Sequence, residues 1–132
     1  MSKPTKEDAS LFLQLFSIMQ NDKDLEKAYQ WLINDLDIDN FEAFQAKYQK
    51  GSQGRLNLGT YAGYMEILST FVNYELLSED LIFDLWGDMF WRKIGPLIQG
   101  TREEMQYPRL YENFELLAKK YPKWAEDHPV KI

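Results

Sequence analysis

Apolar residues recur along this chain at the three-to-four-residue spacing of a helical face, and alternation of strand type is missing. Leu11, Phe12, Leu15, Phe16, Ile18 and Met19 form the first stripe, behind Thr5-Lys-Glu-Asp8, which reads as a cap with acidic residues in the first turn. Asn21 and Asp22 can cap a second helix, where Leu25, Ala28, Tyr29, Leu32, Ile33 and Leu36 repeat in register and Trp31 lies off the stripe. Asp39 and Asn40 open a short third helix through Phe41, Phe44 and Tyr48, closed by Gly51 as a left-handed cap. Beyond Gly51-Ser-Gln-Gly54 a longer, more apolar fourth helix carries Tyr61, Tyr64, Met65, Leu68, Phe71 and Val72.

Ser78 caps a fifth helix with Leu81, Ile82, Leu85, Trp86, Met89, Phe90 and Ile94, so helices four and five are expected to form a long antiparallel hairpin. Gly95-Pro96 is expected to kink or restart helix five, because proline lacks a donor and clashes one turn back. A last helix follows Tyr107-Pro108, striped by Leu110, Phe114, Leu117, Ala118 and Tyr121 and bent near Pro122. The pattern predicts an all-α fold: an irregular bundle of five to six helices around that central hairpin. One domain spanning 1–132 is expected, with 5–50 and 55–127 as candidate sub-units.

A composition 45% hydrophobic and 15% aromatic supports a packed core. Without cysteine there is no disulfide or thiolate metal site, and a reducing cytoplasm is the natural setting. The charged start, Met1 to Asp8, has no apolar run behind it of signal-peptide kind, and no stretch approaches a membrane span. The net charge of −6 disfavours nucleic acid, which needs a basic stripe, and suits a basic protein partner or self-association as a homodimer.

Several residues depart from a plain amphipathic bundle. Advancing about 100° per residue along helix four, Glu75 falls inside the arc of Tyr64, Leu68, Phe71 and Val72, so it is expected to point inward. A buried carboxylate must be paired, hydrogen-bonded or protonated. Arg102 is the expected partner if the chain folds back at Gly95-Pro96, with Arg109 and tyrosine hydroxyls as fallbacks. On helix five, Asp84, Asp88, Trp91 and Gly95 share the face opposite the apolar arc, which is either a recognition face anchored by Trp91 or a second buried contact. Gly59 and Gly95 are equidistant from the junction and predict a close backbone approach. His128, the only histidine, lies past the last stripe as a solvated tail residue, so no catalytic triad, cofactor or metal site is expected.

Phe71-Val-Asn-Tyr-Glu75-Leu-Leu, Asp84-Leu-Trp-Gly-Asp88, Phe90-Trp91, Pro96-Leu97, Arg102 and Tyr111-x-Asn-Phe114-x-x-Leu117 together resemble a bacterial family of small helical domains of unknown function. The resemblance lies mainly over residues 71–117 and implies a bacterial or phage origin, a helical fold, and inner positions at Glu75, Trp91 and Arg102. It implies no activity. Members of that kind often carry an N-terminal membrane segment that this chain does not show, so no membrane-linked role is expected.

Two functional expectations follow. The first is a non-enzymatic protein-interaction module, such as a regulator or inhibitor, that binds through Asp84, Asp88 and Trp91 or through Trp31. The second is a small-molecule binder or hydrolase with a pocket of a few hundred cubic ångströms between helices four, five and six, lined by Tyr64, Glu75 and Arg102.

Overall fold

Helix starts follow their caps closely. The computed structural model describes residues 3–132; Met1 and Ser2 of the charged start lie outside the described residues. Thr5 and Asp8 form a reciprocal capping box for α1 (Lys6–Gln20), and Asp22 caps α2 (Lys23–Asn34) by accepting from the Leu25 N–H. Asn40 caps α3 (Phe41–Lys47), Ser52 caps α4 (Gln53–Asn73) and Ser78 caps α5 (Glu79–Trp86). Two more helices, α6 (Met89–Met105) and α7 (Glu112–Asp127), complete the chain, and no strand occurs among the described residues.

The single fifth helix expected from the apolar pattern is two helices, and the break falls at Gly87 rather than at Gly95-Pro96. Gly87 adopts φ 58° and ψ −133°, a backbone region reserved for glycine. Helix α6 instead runs unbroken through Pro96, which lies on the exposed face where water can replace the lost donor. The helices that approach α4 most closely are α2 and α7, while α3 lies on α6.

The core gathers from every helix but the first. Phe44, Leu32, Leu77, Ile94, Leu97 and Ile98 are fully buried, each stabilising the fold by roughly 1.5–3 kcal/mol in transfer terms. Helix α1 has no fully buried residue, so its stripe of Leu11, Phe12, Leu15 and Met19 only leans on the core edge.

The α4–α5 corner overturns the expectation for Glu75. Helix α4 stops at Asn73, and the N–H groups of Glu75 and Leu76 return to the carbonyls of Val72 and Phe71, closing a Schellman turn. Glu75 takes the left-handed position at φ 61°, where glycine is usual, and its side chain is exposed. The 100° advance that placed it inward applies only while the helix continues.

Candidate functional site

An apolar cleft of about 470 Å³ lies where α1 leans on the core, between α1, α2, α4 and the α5–α6 corner. Phe16, Met19 and Gln20 come from α1, Leu25, Glu26 and Tyr29 from α2, Tyr61 and Met65 from α4, and Trp86 and Phe90 from the corner. Helical spacing explains each contribution, since Tyr61 and Met65 are one turn apart, as are Leu25 and Tyr29.

The rings form a continuous lining. Tyr29 and Tyr61 stack at 6.2 Å with planes 25° apart. Phe90 stands edge-on to Tyr61 at 5.7 Å and 62°, and Trp86 meets Phe90 at 5.4 Å and 60°. Phe16 continues the row against Trp86 at 6.2 Å. Burial pushes the Tyr61 phenol above its ordinary range, with Tyr29 adding to the effect, so this wall is uncharged. Glu26 is the one charged side chain lining the cleft, and it forms no ion pair among the described residues.

Polar contacts fix the cleft at its ends. Asp22 accepts from the Tyr64 hydroxyl, tying the start of α2 to α4; that bond, then the Leu25 N–H, holds its carboxyl below the ordinary range. Asp8 accepts from the Ser78 N–H at 3.1 Å, joining the first turn of α1 to the cap of α5. Lys93 of α6 donates to the Leu32 carbonyl at 2.7 Å and the Leu36 carbonyl at 3.1 Å, so its ammonium closes the C-terminal end of α2.

The residues expected to form a site are scattered. Trp31 is 6% exposed, inside the core and edge-on to Tyr48, so it cannot serve as a surface anchor; its Nε1 has no partner there. Tyr48, at the end of α3, covers the side of α2 that the apolar stripe left open. Trp91 is half-buried and stands edge-on to Phe114 at 5.0 Å; Gly95 makes room, since a Cβ there would meet the indole at 2.6 Å. The break at Gly87 removes the straight helix that aligned Asp84 with Asp88 and Trp91. Asp84 is exposed and pairs with Lys131 at 2.7 Å, while Asp88 pairs with Arg92 at 2.8 Å. The expected close backbone approach at Gly59 is absent: nothing lies within 4 Å of a Cβ placed there.

Tyr64, Glu75 and Arg102 share no pocket. Arg102 donates to the Leu110 carbonyl and to Glu115, each at 2.6 Å, rather than to Glu75. Where α4, α5, α6 and α7 meet, the free space is about 30 Å³, room for about one water; Arg102 lines a separate, open groove of about 470 Å³ with Pro108 and Glu112, which neither Tyr64 nor Glu75 lines. His128 is exposed but not free of the fold, for it stacks on Trp124 at 4.2 Å.

Three polar clusters escaped the reading of the sequence. Glu66 of α4 accepts from the Phe114 N–H at 2.9 Å and the Asn113 amide at 3.0 Å, and Asn73 donates to Asn113 at 3.0 Å. Glu66 thereby caps α7 from another helix, because Tyr111 at its own cap position provides no side-chain bond. Arg55 binds Glu104 at 2.5 Å and the Tyr48 carbonyl at 2.7 Å under the Phe44 ring. Lys93 is the third. The available signal was a deficit: no capping side chain stands before Glu112, and no basic residue closes α2.

No group of three or more His, Asp or Glu among the described residues could hold a metal ion, and none of their helices is long and apolar enough to cross a membrane. The model of a family described as Domain of unknown function (DUF4760) matches residues 4–124. No curated protein and no solved structure matches the chain.

Proposed function

The chain belongs to this family of domains of unknown function, and from that premise we propose that it is a binding module whose site is the aromatic cleft between α1, α2, α4 and the α5–α6 corner. The carrying observation is contrast between apolar linings: about 30 Å³ is free where Trp91 meets Phe114, against about 470 Å³ beneath α1, where rings and thioethers face open space. That volume falls within the roughly 300–1,000 Å³ common for ligand pockets, and the lining is apolar with few polar groups, as such pockets are. Glu26 has no nucleophile beside it in the lining, which favours binding over chemistry.

Titration with Nile red, a neutral solvent-sensitive dye, tests the reading. Saturable emission at one site per chain is expected, and Met19→Trp, which fills the cleft from α1, should abolish it while circular dichroism stays unchanged. Equal dye binding by the filled variant would refute the cleft as the site.

A second reading retains the basic protein partner, with the α5–α6 corner as its surface. Leu85 and Met89 are 55% and 44% exposed on either side of Gly87, each next in sequence to a carboxylate, Asp84 or Asp88. A lysine-rich amphipathic peptide should bind there at low salt and be lost in Asp84→Asn/Asp88→Asn; unchanged affinity of that variant would exclude this surface.

A further inference from the structure

Resting on the cleft as the binding site, we infer that its ligand is a soluble amphiphilic cation: an alkylated ammonium group seated among Tyr29, Trp86 and Phe90 beside Glu26, with an apolar arm along Phe16 and Met65.

The charge pattern carries the first step. An apolar ligand alone would be served by an uncharged lining, yet one carboxylate, Glu26, stands in the lining with no basic residue among the lining side chains. It is exposed and unpaired among the described residues, so it keeps its charge available without the penalty of a buried anion. An anion is repelled by it, and a neutral ligand without a hydrogen-bond donor gains nothing from it.

Ring geometry carries the second. A cation is attracted to the face of an aromatic ring, most strongly to tryptophan, and several rings at steep angles form the cage that recognises quaternary ammonium groups. Here Tyr29 and Phe90 are inclined by 70° at 6.5 Å, and Trp86 and Phe90 by 60° at 5.4 Å. The three rings come from α2, α5 and α6, and Tyr29 is 38% exposed, so the box is open to solvent on one side. An alkylated ammonium suits such a box better than a primary one, because it is weakly hydrated and donates few or no hydrogen bonds, and the rings accept none. The remaining lining, Phe16, Met19 and Met65, offers deformable apolar surface for a chain or ring attached to the nitrogen.

The test compares octyltrimethylammonium with its uncharged isostere, in which carbon replaces the nitrogen, by calorimetry and by backbone amide shifts on the intact chain. The cation is expected to bind at one site about tenfold more tightly than the isostere, a difference of ~1.4 kcal/mol. Glu26→Gln, at an exposed position that leaves packing untouched, should cut that preference to about threefold. Trp86→Leu should cut it while retaining binding of the isostere.

Equal affinity for both compounds, or a preference that Glu26→Gln leaves unchanged, would overturn the inference while the cleft remains an apolar binding site. Failure of both compounds and of Nile red would overturn the cleft reading itself. Shifts mapping away from Tyr29, Trp86 and Phe90 overturn both. Binding to phosphatidylcholine vesicles with no affinity for the soluble cation would overturn the soluble source in favour of a lipid headgroup.

Discussion

Helices α1 and α7 both lay aromatic side chains against the same core, and they end in opposite states. Helix α7 is held both at its first turn, where Glu66 and Asn73 of α4 bind Asn113 and Phe114, and farther along, where the Trp124 indole donates to Asp80 at 2.7 Å. Phe114 and Trp91 then meet edge-on at 5.0 Å with about 30 Å³ left over. Under α1 the polar contacts sit only at the ends, Asp8 to Ser78 and Asp22 to Tyr64. Phe16, Trp86 and Phe90 in between remain half-buried around about 470 Å³. The number of rings is not what separates a core from a cleft. The difference goes with hydrogen bonds made by ring-bearing residues of α7 themselves, the Phe114 N–H to Glu66 and the Trp124 indole to Asp80.

The sharpest way to break this comparison is to truncate one ring on each side. Phe114→Ala, at a residue only 5% exposed, is expected to cost about 3–5 kcal/mol in urea unfolding, against about 1–2 kcal/mol for Phe16→Ala, whose ring is already partly in water. Equal costs would mean that α1 is as tightly packed as α7.

Next comes the clamp. Glu66→Ala strips the acceptor from the first turn of α7 and should destabilise by about 2–3 kcal/mol, with faster hydrogen exchange at the Asn113 and Phe114 amides. Glu66→Gln keeps an oxygen acceptor and should lose less than half as much. If the alanine variant unfolds no more easily, the seam is held by packing alone.

A smaller change of opposite sign is expected at the α4–α5 corner. Glu75→Gly relieves a left-handed residue at φ 61° whose side chain makes no inward contact, and should stabilise by about 1 kcal/mol. Destabilisation would restore an inner role for Glu75.

The smallest effects are pH-dependent and can be read residue by residue. The Arg55 guanidinium holds Glu104, and the Tyr64 hydroxyl holds Asp22, below the ordinary carboxylate range. A folded-state pKa below the unfolded one contributes stability that is present above about pH 4 and is lost as pH falls through the folded value. Tyr64→Phe should therefore raise the Asp22 carboxyl toward the ordinary carboxylate range in an NMR titration and leave Glu104 in place. An Asp22 titration that does not move would cut the proposed tie between α2 and α4.

How much of this was legible depends on the range of each interaction. Thr5, Asp22, Asn40 and Ser78 were readable as caps because a cap bonds an amide two or three residues away. The stripes marked Phe44, Leu68, Ile94 and Phe114 as inward for the same local reason. Glu75 and the break at Gly87 were misplaced because the projection assumed helices that continue, whereas a Schellman turn and one glycine dihedral end them. The cleft was invisible as a site: every one of its rings belonged to an expected stripe, and nothing local distinguishes a ring that meets a partner from one that meets space.

By itself, then, the order of residues determined an all-helical chain, where most helices start and which faces turn inward, since these rest on backbone hydrogen bonds and side-chain spacing within a turn or two. Only the tertiary structure decided that Trp31 is core, that Glu66 caps a helix 48 residues away, and that the rings beneath α1 border an open cleft. Those outcomes depend on the relative placement of whole helices, which is set by the sum of many distant contacts and carries no signature at any single position.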